Sequence, residues 1–211
     1  MKATTLFLLF TMSHFCFAGA DTNIIAVSDW SKSVSTGYGQ SLRGRMLIAE
    51  EQPPGHASPE TELFLELENV SDPVAGPMQV YVDPANGLHC GMLDAYGKPP
   101  TTLKVSGGMR GDGGGYRVPV NWITLPYDST IRLRANGTFS WRRGDGLLLM
   151  LDPFSDQHWE IGSGDTNTYF LYGTFTVTPP TNQVQPDATG SRAQWQGTLD
   201  LPKMKISLRK P

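Results

Sequence analysis

Apolar and polar residues alternate with a period of two along several short segments. Segment 61–69, TELFLELEN, has two chemically different faces: Leu63, Leu65 and Leu67 on one, and Glu62, Phe64, Glu66 and Glu68 on the other. A period of two is typical of a strand with one buried face, so we predict a half-buried strand here.

The same pattern recurs further along the chain. Segment 78–83 directs Met78, Val80 and Val82 to one side, and segment 129–135 opposes Ile131 and Leu133 to Arg132 and Arg134. Both patterns predict strands with an apolar inner face.

Three later segments predict strands for different reasons. Segment 146–152, GLLLMLD, is a continuous apolar run, which favours a strand covered on both faces. Segment 168–179 is rich in aromatic and β-branched residues. Segment 197–208 contains Pro202, which lacks an N–H and therefore suits an edge strand or a bulge.

Turn-forming residues separate these segments, and no convincing amphipathic helix is present. We therefore predict an all-β fold, an antiparallel sandwich of about eight to ten strands with long loops.

The motifs LFLELENVSDPV, GMLDAYGKPP, WITLPYDSTIRLR and YFLYGTFTV, spread over about residues 42–178, resemble bacterial secreted immunoglobulin-like β-sandwich domains. The resemblance implies an immunoglobulin-like sandwich without the buried cysteine pair of antibody domains. Domains of this kind serve as adhesion modules, inhibitors and scaffolds, so the resemblance does not select a function.

The first twenty residues have the features of a signal peptide: Lys2, an apolar stretch and an Ala18-Gly19-Ala20 cleavage site. We predict a signal peptide at 1–20, a polar lead-in at 21–41, and a single β-sandwich domain at 42–211 with a long loop at 179–194. The apolar stretch is too short to span a bilayer, so a secreted or periplasmic protein without a membrane span is expected.

Removal of residues 1–20 leaves 16 basic and 20 acidic side chains, a net charge of −4, which argues against nucleic acid as a partner. Cys90 is then the remaining cysteine, so an intramolecular disulfide is excluded. We predict that Cys90 is a core residue rather than a reactive thiol.

Catalytic and metal-binding patterns are missing. Ser41 lacks the second glycine of a nucleophile elbow. The three histidines of the remaining chain, His56, His89 and His158, lack ligand spacing, and adjacent His89 and Cys90 would point to opposite faces of a strand. We therefore predict a protein without catalytic residues, metal or cofactor.

Acidic residues could gather around a calcium ion in segment 152–160, where Asp152, Asp156 and Glu160 lie close in sequence. The segment lacks the pattern of a calcium loop, so we interpret these acids as solvated loop residues.

Two Arg-Gly-Asp sequences are candidate recognition motifs. The first, Arg110-Gly111-Asp112, lies in a glycine-rich loop at 106–117 that also contains Tyr116, and the second is Arg143-Gly144-Asp145. The second runs directly into an apolar strand and is interpreted as a turn. The first is our candidate binding loop, with Arg110, Asp112 and Tyr116 as the binding residues.

Trp141 and Trp159 are the candidate exposed aromatic pair for stacking on sugar rings, whereas Trp122 shares the parity of a strand core. Asn69-Val70-Ser71 is a formal glycosylation acceptor, which matters only in a eukaryotic source. The leading hypothesis is an exported, non-catalytic protein with a structural or protein-interaction role. The alternatives are a carbohydrate-binding module and a loop-presenting protease inhibitor, so the expected partner is a protein or a glycan, and the oligomeric state stays open.

Overall fold

The computed structural model describes residues 23–36, 39–51, 60–83, 87–99, 102–104, 121–142, 146–151, 157–162, 168–178 and 194–207. Fourteen strands occur in this part of the chain, and they are numbered in chain order. They are β1 (Asn23–Val27), β2 (Val34–Ser35), β3 (Ser41–Glu51), β4 (Glu60–Asn69), β5 (Met78–Val82), β6 (Leu88–Asp94), β7 (Thr102–Lys104), β8 (Asn121–Leu125), β9 (Thr130–Arg142), β10 (Gly146–Leu151), β11 (Gln157–Gly162), β12 (Thr168–Val177), β13 (Gln194–Trp195) and β14 (Gly197–Ser207).

The strands form three sheets. The largest has the order β1-β3-β4-β9-β10-β11-β7, with β2 also paired to β3, and the two smaller sheets have the orders β14-β12-β6 and β13-β5-β8. Their strand pairs are antiparallel except for β13 with β5. The predicted all-β, antiparallel fold is confirmed, and the layered packing of sheets is consistent with a sandwich. The strand number exceeds eight to ten in part because β1, β2, β7 and β13, of two to five residues each, are too short to produce a conspicuous periodic pattern.

The alternating segments build the core as predicted. Leu63, Leu65 and Leu67 of β4 are fully buried, and so are Met78 and Val80 of β5. Ile131 and Leu133 of β9 pack against the same cluster. Burial of such side chains stabilises the fold by about 1.5–3 kcal/mol each.

Strand β14 packs across β3 at Gly44, where the two sheets come close together. A Cβ atom at Gly44 would lie 3.1 Å from Leu199 Cδ1 and 3.2 Å from Leu201 Cδ2. Glycine therefore allows the leucines of β14 to rest directly on the backbone of β3.

The prediction that β4 is half-buried is wrong, because its charged face is buried as well. Glu62 and Glu66 are each 5% exposed. Arg45 and Arg132 both bind Glu66, with an Arg45 Nε to Oε2 distance of 2.6 Å and an Arg132 Nη2 to Oε1 distance of 3.0 Å. The flanking strands β3 and β9 thus place guanidinium groups over carboxylates that a water-facing strand would have exposed.

Two further ion pairs extend this layer along β4. Arg134 Nε lies 2.5 Å from Glu62 Oε2, and Arg43 Nε lies 2.7 Å from Glu68 Oε2. Leu47, Ala49 and Phe64 form a second buried apolar cluster on the same face. These desolvated carboxylates are tolerated because each lies within ion-pairing distance of an arginine guanidinium.

Pro202 lies at a bulge of an edge strand, as the sequence predicted. Among the described residues β14 pairs with β12 alone, and the register between them shifts where Leu171 pairs with Met204 but Gly173 pairs with Leu201. Pro202 and Lys203 fall inside this irregularity on an edge strand, where the missing N–H of proline breaks no ladder hydrogen bond.

Asn69 closes the corner between β4 and the turn before β9. Its Nδ2 donates to the backbone oxygen of Leu125 at 2.9 Å, and its Oδ1 accepts from the N–H of Ser71 at 3.0 Å. The residue is fully buried. In the folded protein its amide is therefore a structural group and not an accessible glycosylation acceptor.

Segment 21–41, expected to be a polar lead-in, contributes strands β1 and β2 to the large sheet. The run from Asn23 to Val27 is too short for its pattern to be conspicuous in the sequence. Within the described part of the chain, no helix is long and apolar enough to cross a membrane.

Candidate functional site

Strand β1 is the terminal strand of the large sheet. It pairs with β3 on one side, and no other described strand pairs with it. Its apolar side chains are unusually accessible: Ile24 is 51% exposed, and Ile25 and Val27 are each 47% exposed. An edge strand presents unpaired backbone N–H and C=O groups, so this edge is a template for another strand.

A bulge in β1 determines which of its side chains lie on the outer face of the large sheet, the face that carries the glutamates of β4. Ile24 pairs with Ala49, Ala26 with Ile48, and the register shifts between them so that Ile25 is the extra residue. Val27 then pairs with Leu47. Because Leu47 and Ala49 lie on the outer face, Ile24 and Val27 share that face although they are three residues apart.

The chain after β1 is bound firmly to β3 by two serines. The N–H of Ser28 donates to the oxygen of Met46 at 2.9 Å, and Ser28 Oγ accepts from the N–H of Met46 at 3.1 Å. Ser31 repeats the arrangement with Gly44, at 2.8 Å and 3.0 Å. These reciprocal bonds satisfy both backbone groups of Met46 and Gly44, so the exposed residues of β1 belong to an anchored strand.

Trp30 provides a second attachment on the outer face. Its ring lies 4.3 Å from the Arg45 guanidinium carbon and 4.9 Å from that of Arg43, within the range of cation–π contacts. Both arginines also bind glutamates of β4. The loop after β1 is therefore tied to the charged layer over β4.

The candidate loop predicted from the sequence lies outside the described residues. This applies to Arg110, Asp112 and Tyr116 and to the rest of 106–117. The second Arg-Gly-Asp and Asp152 and Asp156 also lie outside them. The predictions about these residues stay predictions.

Trp141 and Trp159 are described in their backbone alone. Trp141 of β9 pairs with Leu147, and Trp159 of β11 pairs with Leu149, so one strand, β10, separates them. Neighbouring strands lie about 4.8 Å apart, and the two positions are offset by two residues, about 7 Å, along β10, which places the two backbones roughly 12 Å apart. The register brings the predicted pair to one region of the large sheet.

Several other large aromatic residues of the described strands belong to the core or pack against it. Trp195 and Tyr169 are fully buried, and Trp195 Nε1 donates to the oxygen of Val34 at 2.9 Å. Trp122 packs against the core and meets Tyr81 edge-on, with ring centroids 5.3 Å apart. The prediction of a core position for Trp122 is confirmed.

His89 and Cys90 of β6 point in opposite directions, as their adjacency predicts. His89 is exposed, whereas Cys90 packs against the core. Burial raises the pKa of the Cys90 thiol to about 12, so the thiol stays protonated and poorly nucleophilic at neutral pH. Within the described ranges, no three His, Cys, Asp or Glu side chains form a group that could hold a metal ion.

Comparison with known proteins gives no relative: the chain matches no family model, no curated protein and no solved structure. The resemblance to immunoglobulin-like domains therefore stays a prediction. The fold and the accessible edge define the chain as an all-β protein with an anchored, apolar edge strand.

Sequence reasoning missed this site. The signal was the uninterrupted run from Asn23 to Val27, which has three β-branched residues and no charge. The exposure of these residues could not be read from the run itself, because a buried strand has the same composition.

Proposed function

We propose that this chain is an exported, non-catalytic interaction module that binds an extended segment of another polypeptide along the edge of β1 with which no described strand pairs. The observation that carries the proposal is the exposure of Ile24, Ile25 and Val27 on an edge strand. Added strands gain main-chain hydrogen bonds from such an edge, and alternate side chains supply specificity.

The anchoring of β1 supports this function because a preordered edge lowers the entropy cost of binding. Ser28 and Ser31 hold the following segment to β3, and Trp30 is fixed on Arg43 and Arg45. A partner strand would therefore meet a surface that is already in its binding conformation.

Site-specific photo-crosslinking in the producing cells tests the proposal. A benzoylphenylalanine at position 25 should form a discrete adduct, and Val27→Lys in the same chain should abolish it because it places a charge beside the apolar side chains of the added strand. The matched control carries the photo-crosslinker at Thr198, an exposed position of edge strand β14. Equal adducts at both positions, or an adduct that survives Val27→Lys, would contradict the proposal.

Carbohydrate binding is the second candidate, favoured by the register that places Trp141 and Trp159 on either side of β10. Retention on immobilised glycans should fall at least tenfold on Trp141→Ala or Trp159→Ala and should be insensitive to Val27→Lys. Retention that neither tryptophan change affects would remove this candidate.

A further inference from the structure

We propose that the strand added to β1 is β1 of a second copy of this chain, paired antiparallel about a two-fold axis between Ile25 and Ala26. This inference rests on the proposed function and names its partner. The two-fold arrangement would join two large sheets into one continuous sheet, since β1 is the terminal strand of each.

The charge distribution around β1 allows such pairing. Residues 23–28 carry no ionisable side chain, and the nearest described charge, Asp29, follows this segment. In the two-fold register all six uncharged positions pair with one another, so Asp29 does not face its own copy. Like charges opposite each other, which destabilise strand pairs, are therefore avoided.

The bulge at Ile25 makes the outer face self-complementary. The register pairs Ile24 with the partner's Val27, and Val27 with the partner's Ile24. Both residues lie on the outer face of β1, and both are about half exposed in the single chain. Two symmetric Ile–Val pairs would then bury one another beside Leu47 and Ala49, which are already buried.

The size of the contact indicates a weak dimer. Stable complexes bury about 1,200–2,000 Å² in total, and a pair of five-residue strands covers less than that. We therefore expect an equilibrium between monomer and dimer that responds to protein concentration in the micromolar to millimolar range.

Sedimentation equilibrium of the purified exported protein measures this association. The weight-average mass should rise with concentration towards twice the monomer mass. Val27→Lys should weaken association at least tenfold, whereas Thr198→Lys, the same charge on β14, should leave it unchanged. Thermal unfolding of both variants checks that they are folded.

Disulfide trapping tests the register. In a Cys90→Ala background of the exported protein, chains with Ile24→Cys and chains with Val27→Cys should crosslink when mixed and oxidised. Each alone should not, because antiparallel pairing separates identical positions beyond the ~7 Å that a disulfide can bridge. Disulfides formed by Ile24→Cys alone would indicate a parallel or different contact and would overturn the register.

The outcomes separate this inference from the function on which it rests. A wild-type protein that stays monomeric to 1 mM, or a dimer that Val27→Lys leaves intact, overturns pairing of β1 with its own copy. If position 25 still crosslinks to a different protein in cells, the interaction function stands with another partner. If no adduct forms either, both proposals fail.

Discussion

Among the described strands, β1 and β14 both lie at the edge of a sheet, but their edges differ in chemistry. β14 alternates buried Leu199, Leu201, Met204 and Ile206 with exposed Thr198, Asp200, Lys203, Lys205 and Ser207, and it contains Pro202. β1 exposes Ile24, Ile25 and Val27 and carries no charge.

The difference shows that the two edges, each of which could pair with another chain, are protected to different extents. Charges, a proline and a bulge are the means by which proteins stop edge strands from pairing with other chains. β14 has all three, whereas β1 has the bulge alone. The edge with fewer of these features is thus the one expected to have a partner.

The largest expected effect is the difference in free energy of unfolding between a substitution on the buried face of β14 and one on the exposed face of β1. Leu201→Ala should lower the free energy of unfolding by about 2–5 kcal/mol, because it leaves a cavity over Gly44. Val27→Ala should change it by no more than about 0.5 kcal/mol. Urea unfolding measures both, and similar losses would show that β1 is part of the core.

The second prediction concerns β6, the other edge of the sheet that contains β14. Because burial raises the pKa of Cys90 from 9.0 to about 12, the thiolate fraction at pH 8 falls, and its alkylation by iodoacetamide should be at least about tenfold slower than in the unfolded chain. A native rate close to the denatured rate would contradict the buried position of the thiol.

The same pKa predicts a pH dependence of stability. The folded state holds the Cys90 proton more tightly than the unfolded state. The contribution of this thiol to the free energy of unfolding is therefore complete below about pH 9 and is lost as the pH rises towards 12. The stability difference between the wild type and Cys90→Ala should shift in favour of Cys90→Ala over this interval. A constant difference from pH 8 to 11 would be the contrary result.

The third prediction tests whether β1 is anchored as described. Ser31→Ala removes the acceptor for the buried N–H of Gly44 and should destabilise the protein by about 1–3 kcal/mol. Amide hydrogen exchange in β1 should accelerate. Ser35→Ala, which removes an exposed contact with Ser41, is the matched control and should have little effect on either measurement.

The smallest effect is expected from making β14 resemble β1. Lys205→Ile should change the free energy of unfolding by at most about 0.5 kcal/mol, because Lys205 is exposed. It should nevertheless increase self-association at high concentration, measured by light scattering. Pro202 and Lys203 remain, so this association should stay weaker than that of the wild-type β1 edge.

Local pattern was sufficient to predict much of the fold. The alternation around Leu65, the composition of 168–179 and the place of Pro202 all led to strands that the structure contains. The core positions of Trp122 and Cys90 followed from parity and residue type. These features depend on neighbours along the chain.

The burial of Glu62 and Glu66 could not be predicted in this way. Their partners Arg45, Arg132 and Arg134 come from β3 and β9, far away in sequence. The candidate site was missed for the same reason: whether Ile24 and Val27 are covered depends on which strand lies beside β1. Trp141 and Trp159 remain sequence predictions whose backbones the register brings near one another.

The sequence by itself determined an all-β chain, because the period of side chains along a strand is a local property of the backbone. Tertiary structure decided the pairing order, the buried charged layer and the exposed edge. Strand pairing joins residues that are distant in the chain, so an identical apolar run forms a central strand when it is paired on both sides and an interaction edge when it is paired on one. For residues 23–27 the structure assigns the edge.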